Sequence, residues 1–432
     1  MRTALQKDHD MKRTTACFLA AMTAFATATQ SLAGNWTFGR QANAYSGTQC
    51  WITDENGWSV YLSDNAPSTL PQGKATLGVR GAGYTGIRTV GSGGVLDLRD
   101  ITVTMNGVSY AVTNLALPKW SLYNTSAAVE RIVANNVSSL GELLLTYSTT
   151  DAKTCKVKDI RLYGNFTSVP ANCFIRATSL TNAIVDSPNC TAIGAAAFKF
   201  CRGLACDVSL LIPRSVRSIG GYAFAGNDSA SPGASKCTMS ITGEVIVDKL
   251  DYLGASAFLY CHKITAFRAG GGKLSEIAMA ESGQWLGVFN NASALKEVVL
   301  DTPALTNIGQ RVFNGATAVT SLVIGSRKLE TCSATLGSAL KEVTFKGEAT
   351  QGAIDKLLNG VAASTKGKNC TIYAHKGSAL GWKNLAADLT SAESAVPPPT
   401  GCFGVYRTGS RKAWLVHRPS PYATLGTFIM CY

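Results

Sequence analysis

The chain has 432 residues, of which only 16% are charged, with 42 glycines and a formal charge of +13. That length exceeds a single core of about 250 to 300 residues, so it implies two or three domains or one repeat array with appendages; sparse charge and abundant glycine exclude ordinary coiled coils and long solvent-exposed helices. A diffuse basic excess is most often a solubility feature; in a functional role it favours anionic lipid, acidic polysaccharide or nucleic acid.

The first element is a basic start, Met11-Lys12-Arg13, followed by the apolar run Ala16 to Ala28 and the small-residue site Ser31-Leu32-Ala33. This is the anatomy of a secretory signal peptide over residues 1–33, cleaved before Gly34. The run is too short and too rich in Thr for the ~20 apolar residues of a membrane span, and no later segment is long and apolar enough, so no transmembrane span is expected after cleavage. Cleavage removes four basic and two acidic side chains, lowering the charge from +13 to +11, and removes Cys17, leaving twelve of the 13 cysteines. In an exported chain an even number invites disulfides, and a few bridges are expected, not a dense scaffold.

Residues 34–127 contain no clear repeat and read as β-rich, an N-terminal cap or a separate ligand-binding module. Ile101 to Met105, then Asn106-Gly107, then Val108 to Val112 is a hairpin signal, because both turn positions favour residues that accept a left-handed backbone. Gly81, Gly83 and Gly86 fit a dinucleotide-binding spacing, but Ile87-Arg88-Thr89-Val90 follows where a helix would be required, so the fit is rejected. Val129 to Leu145, with Ser139-Leu140-Gly141, reads as a degenerate repeat lacking its Phe.

From there the chain is periodic. An aliphatic residue stands five positions before a Phe in Val169 with Phe174, Ile193 with Phe198, Ile219 with Phe224, Leu253 with Phe258 and Ile308 with Phe313. Ser218-Ile219-Gly220-Gly221-Tyr222-Ala223-Phe224 can be laid on Ala192 to Phe198 and on Tyr252 to Phe258. Three residues past the Phe stand Ala177, Cys201, Asn227, Cys261 and Ala316, so several cysteines occupy a small packing position. A sixth copy ends at Phe289, with an insertion around Ser282 to Trp285. Each unit is followed by a strand-length apolar run: Ala183 to Val185, Leu210 to Ile212, Val245 to Val247, Ile264 to Phe267, Val298 to Leu300, Leu322 to Ile324 and Val343 to Phe345. The Phe anchors are 24, 26, 34, 31 and 24 residues apart, and the uninterrupted units fall within the ~20 to 29 residues of a leucine-rich repeat. One such unit cannot bury its own apolar edge, so the Phe rings should stack in a ladder and the strands run parallel.

Ser-Ile-Gly-x-x-Ala-Phe, followed by a small residue, an aliphatic and a strand, resembles the BspA-type leucine-rich repeat over roughly residues 165–346. The resemblance implies a right-handed, β-rich solenoid with short helical returns, in a surface or secreted, commonly bacterial, protein engaged in adhesion or other protein contacts. The insertions at Asp228 to Thr238 and Gly270 to Gln284 depart from the pattern and are expected to protrude as loops.

Past Phe345, Gln351 to Val361 predicts an amphipathic helix, Cys370 to Tyr373 a closing strand, and Gly381 to Ala387 a last helical turn. Ala395 to Gly401 is a stiff, proline-rich linker. Phe403 to Tyr406, a turn at Gly409 and Ala413 to Val416 predict a hairpin, read either as a β appendage or as a secretion or retention signal. The expected domains are thus 1–33 signal peptide, 34–127 β-rich cap, 128–346 solenoid, 347–394 C-terminal cap, 395–401 linker and 402–432 basic, aromatic tail.

Catalytic chemistry is sparse. Three histidines follow the signal segment, His262, His375 and His417, none in a zinc-type pairing, and Cys261-His262 sits on a repeat position where packing explains it. No catalytic residue, cofactor or metal ligand is assigned. The expected function is a secreted, cell-surface or periplasmic interaction protein that binds a protein or glycan, with no specific nucleic-acid partner. The alternatives are a secreted hydrolase whose repeats act as a targeting module and a structural envelope protein.

Overall fold

A computed structural model describes residues 34–417 except 44–46, 80–84, 125–127, 147, 150–155, 228–237, 278–286, 335, 337–338, 360–369, 375–384, 387–399 and 409–410. The expected signal peptide, most of the linker, His375 and the loop at 228–237 lie outside the described residues, as does the second half of the expected 270–284 insertion.

The first sheet is mainly antiparallel and joins strands Ile87–Thr89, Ser59–Leu62, Gly47–Asp54, Asn35–Asn43, Thr102–Met105 and Val108–Ala111. Asn106 and Gly107 both take positive φ, 52° and 76°, and Met105 pairs with Val108, so this two-residue turn closes the hairpin where its sequence places it. Thr85 and Gly86 lead straight into the strand at Ile87, the geometry that a dinucleotide-binding turn cannot have.

All other long strands pair in parallel until the C-terminal hairpin. Lys74–Thr76, Asn114–Leu117, Arg131–Leu140, Asp159–Gly164 and Asn182–Asp186 form one sheet, with Val95–Leu98 also on Arg131–Leu140. Parallel pairing therefore reaches back to Lys74, well into the region where no repeat is readable. The reason is packing: Leu115 and Leu117 hold the interior positions there, and without a Phe the period leaves no mark. A second sheet takes Met239–Val247, Cys261–Gly270, Glu297–Asp301, Ser321–Ile324, Glu342–Phe345, Cys370–Ala374 and Arg411–His417 in order, then turns antiparallel through Cys402–Thr408 and Leu385–Ala386.

Two C-terminal readings change. The Cys370 strand does not close the sheet, because Ala413 to His417 pairs with its far side. Leu385–Ala386 is strand, not helical turn. Strands Cys402–Thr408 and Arg411–His417 pair with each other, and Arg411–His417 packs on the Cys370 strand of the expected cap, in the same sheet as the repeats. The expected helix is present as Gln351–Asn359, with Ala353, Ile354 and Leu357 buried.

Leu210 to Ile212 is also not strand. Residues 205–207 carry the ladder instead: Ala205 donates its N–H to Thr181 at 3.0 Å, Thr242 donates to Cys206 at 3.1 Å, and Asp207 bridges Thr242. The Asp207 carboxylate then accepts the Ser209 N–H and starts the 3-10 turn Val208–Leu210. Pro213 lacks the N–H that would extend pairing.

The interior is organised by the repeat anchors. Val169, Ile193, Ile219 and Leu253 sit in two-residue strands, Ser168–Val169, Ala192–Ile193, Ser218–Ile219 and Tyr252–Leu253, paired in register and buried. Ile308 lies in a second such ladder between Ile277 and Cys332. Ile277 is the aliphatic anchor of the Phe289 copy, so the segment Gly270 to Ile277, expected to protrude, instead buries Leu274 and Ile277.

Phe174, Phe198, Phe224, Phe258, Phe289 and Phe313 stack face to face, with successive centroids 5.0, 5.2, 5.4, 5.8 and 5.7 Å apart and planes within 20°. Phe267 wedges edge-on against Phe258 and Phe289 where the spacing is widest. Burial of each ring is worth about 1.5 to 3 kcal/mol, and aromatic pairing adds about 0.5 to 1.5 kcal/mol.

The backbone around each Phe serves the same stack. Asn172, Phe174 and Arg176 donate N–H to Ala195, Ala197 and Lys199, and Ala196, Phe198 and Phe200 donate in turn to Gly221, Ala223 and Ala225, all at 2.7 to 2.9 Å. Leu144 donates to Cys173 at 2.8 Å, the place Phe174 takes against Ala197, so the 129–145 unit enters the ladder with leucine where later copies have Phe. Gly220 must be glycine, because a Cβ there would lie 2.4 Å from the Ala195 nitrogen.

Phe258→Ala is expected to lower stability by about 3 to 5 kcal/mol in urea titration, and Phe258→Leu by clearly less. Equal losses from the two would show that ring stacking is not what this position contributes.

Candidate functional site

The parallel strands turn alternate side chains outward, and register decides which of them meet. At the N-terminal end, Arg131, Asp159 and Asn182 are directly opposed on adjacent strands. Asp159, only 7% exposed, accepts from Arg131 Nε at 2.7 Å, from Arg161 two residues along its own strand at 2.9 Å, and from Asn182 Nδ2 at 2.9 Å. Arg99 forks onto Asp97 at 2.6 and 2.9 Å. That hydrogen bond raises the Arg99 pKa, and burial pushes the Tyr163 phenol up.

Farther along, Arg268 forks onto Glu297 at 2.6 and 2.7 Å and reaches Glu244 at 3.5 Å. Ser321 donates to Glu342 at 2.9 Å, and Lys346 pairs with Asp301. Leu210 is exposed, as is Ile246, at 41%, on the strand that carries Glu244 and directly opposite Arg268. The outward face is therefore a rigid mosaic of cross-strand ion pairs and isolated apolar groups. Forked Arg–carboxylate pairs hold their geometry well, which suits a preorganised contact surface.

The repeat anchors lie on the inside of this arrangement. They hold the strands in register and touch nothing that approaches from solvent. The cysteines on the repeat pattern are likewise interior. Cys201 donates its thiol to the Phe174 carbonyl at 3.0 Å and Cys261 to the Phe224 carbonyl at 3.2 Å, each tying one copy to the Phe of the copy before. Burial raises the pKa of both thiols, that of Cys201 to about 12, and pushes up Cys173 and Cys332 as well. Cys173, Cys190, Cys201, Cys206, Cys261 and Cys332 are all unbridged, so the few disulfides expected do not form among these six.

His262 stacks on Tyr260 at 5.8 Å, and His417 is exposed at the end of its strand. Among the described residues no three His, Cys, Asp or Glu side chains converge as metal ligands. The ion-pair mosaic was not readable in sequence, because Arg131, Asp159 and Asn182 are separated by more than 20 residues and only the parallel register brings them together.

A family model described as a BspA type leucine rich repeat region matches residues 121–231 and 233–351 in six copies. No curated protein matches the chain significantly. Solved structures similar to it include a leucine-rich repeat protein of T. pallidum, 18% identical with a TM-score of 0.30, covering 54% of this chain and 81% of that one. A leucine-rich repeat protein of Bacteroides ovatus is 15% identical with a TM-score of 0.30, covering 60% and 88%. The pneumococcal vaccine antigen PcpA is 14% identical with a TM-score of 0.25, covering 76% and 95%.

Two outcomes are expected. Asp159→Asn should cost about 1 to 3 kcal/mol by thermal or urea unfolding, less than a fully enclosed pair, because the side chains of Arg131 and Arg161 are 46% and 34% exposed. The buried thiols stay protonated when folded but ionise near the ordinary 9.0 when unfolded, so they contribute stability that is intact below pH 9 and is lost as pH rises toward about 12. A combined Cys201→Ala and Cys261→Ala variant should flatten that alkaline slope; an unchanged slope would assign it elsewhere.

Proposed function

The chain belongs to the BspA-type leucine-rich repeat family, and from that premise we propose that it is an exported, non-catalytic interaction protein that binds a protein or a glycan. Repeats of this type are typical of proteins on the cell surface or secreted, and no helix among the described residues is long and apolar enough to cross a membrane. Residues 1–33 are the signal that directs export. The repeats coil as a right-handed solenoid, with the β-rich residues 34–127 covering the first edge and the 402–417 hairpin covering the last.

The observation that carries this reading is the outward strand face. Its arginines and carboxylates engage one another across strands, as with Arg131, Asp159 and Arg161 or Arg268 and Glu297, and beside them stand exposed apolar groups such as Ile246. Such a face is built to meet a partner over a broad area. The alternatives, a secreted hydrolase and a structural envelope protein, have no comparable observation in their favour.

The test is location. With an internal tag placed between Asp228 and Thr238, intact cells should bind anti-tag antibody and lose the tag to external protease. A tag reached only after the outer barrier is opened would place the protein in the periplasm and overturn the surface reading.

A further inference from the structure

The opposite edge of the repeats, where the Phe turns lie, differs from the strand face in charge. The segments 168–180, 188–206 and 213–227 contain no Asp or Glu, yet they include Arg176, Lys199, Arg202, Arg214 and Arg217, of which Arg217 is held by Asp251 at 2.7 Å. The acids of neighbouring segments, such as Asp159 and Glu297, belong to the strand face.

Three of these cations converge on one ring. Arg176 lies 4.5 Å, Lys199 5.1 Å and Arg202 5.5 Å from the Phe200 centroid, and Lys199 is also 4.8 Å from Tyr222. Phe200 is only 5% exposed beneath them. The ring thus serves as a seat, which holds the charged heads in place and turns their donors outward. Among the described residues no carboxylate forms an ion pair with Arg176 or Arg202; Arg176 Nε donates to the Thr149 carbonyl, which fixes its direction.

The backbone adds an independent observation. Ten of the twelve positions two before or two after a Phe anchor adopt left-handed conformation, at Asn172, Arg176, Ala196, Phe200, Tyr222, Ser256, Tyr260, Asn291, Arg311 and Gly315. Asn172, Asn291 and Gly315 suit that conformation. Arg176, Phe200, Tyr222 and Tyr260 do not, and each costs about 1 to 2 kcal/mol relative to glycine. Phe200 and Tyr260 are buried there, and Tyr222 packs half-buried against the Ala225, Leu259 and Tyr260 cluster, so consecutive copies place aromatic rings beneath this edge.

We propose that this ridge, centred on Arg176, Lys199, Phe200, Arg202 and Tyr222, is a binding site for an acidic polysaccharide, its carboxylate or sulfate groups taken by the guanidinium and ammonium heads. A chain polyanion fits because the copies repeat every 5.0 to 5.8 Å along the Phe stack, which sets cationic and aromatic groups in a row instead of a closed pocket. The site is separate from the strand face and does not depend on that face having a ligand.

The experiment uses the full mature chain and two probes, heparin and polygalacturonate, with neutral dextran as control. The ridge variant is Arg176→Ser, Lys199→Ser, Arg202→Ser; the matched variant removes the same charge at exposed Lys74, Lys328 and Lys341, each to Gln. The proposal expects the wild type to bind at least one acidic probe and not dextran, with the ridge variant losing affinity about tenfold or more and the matched variant about twofold or less. Salt dependence should weaken only in the ridge variant. A double variant, Lys199→Ser with Arg202→Ser, keeps the Arg176 contact to Thr149 and replaces the triple variant if the latter loses its folded circular dichroism. Equal losses in ridge and matched variants, no binding to either acidic probe, or tighter ridge-dependent binding of single-stranded DNA of the same charge would each overturn it.

Discussion

The constraint on which this molecule depends is that no repeat is complete alone. Phe198, Phe224, Phe258 and Phe289 each have one face covered by the ring of the copy before and one by the copy after, at 5.0 to 5.8 Å, and the backbone beside the Phe anchors sends N–H groups to carbonyls of the next copy. Aromatic stacking and hydrogen bonding therefore act along the same axis. A change in one copy is felt by two neighbours, the behaviour expected of nearest-neighbour arrays.

This coupling explains choices that look odd locally. Cysteine at 201 and 261 is small enough for the packing position and its thiol reaches a carbonyl of the preceding copy; alanine at 177 and 316 meets the size requirement without that bond. Glycine at 220 is required because two backbones approach there more closely than a Cβ allows. Left-handed residues recur because the turn must return to the same height in each copy, and the interior tolerates their cost because the stack over-determines them.

The same stack separates two surfaces of different chemistry. On the strand face, acids and bases alternate across register and engage one another, leaving a stiff surface of low net charge. On the turn edge, cations collect over Phe200 without acids in the same segments. A chain with a formal charge of +13 thus carries its excess unevenly, and an uneven field distinguishes a binding surface from a merely soluble one.

Sequence alone determined the repeat, its Phe and aliphatic anchors, the parallel strands that follow most copies and the Asn106-Gly107 hairpin, because each rests on local periodicity or on a residue's backbone preference. Where the anchor residue changed, the period faded: the 129–145 unit read as a degenerate copy lacking its Phe, while the entry of Leu144 into that place, Ile277 set twelve residues before Phe289 and Cys332 in an aliphatic position needed the packing to place them. The strand at 210–212 failed because Asp207 and Pro213 redirected the hydrogen bonds, and the C-terminal hairpin could be read as a hairpin but not as part of the repeat sheet. Only the tertiary structure decided that Arg131, Asp159 and Asn182 form one cluster and that three cations share the Phe200 ring. Arg131, Asp159 and Asn182 lie in three copies and Arg176 lies in the copy before Lys199, Phe200 and Arg202, and it is the register between copies, set by side-chain packing over tens of residues, that brings them within reach.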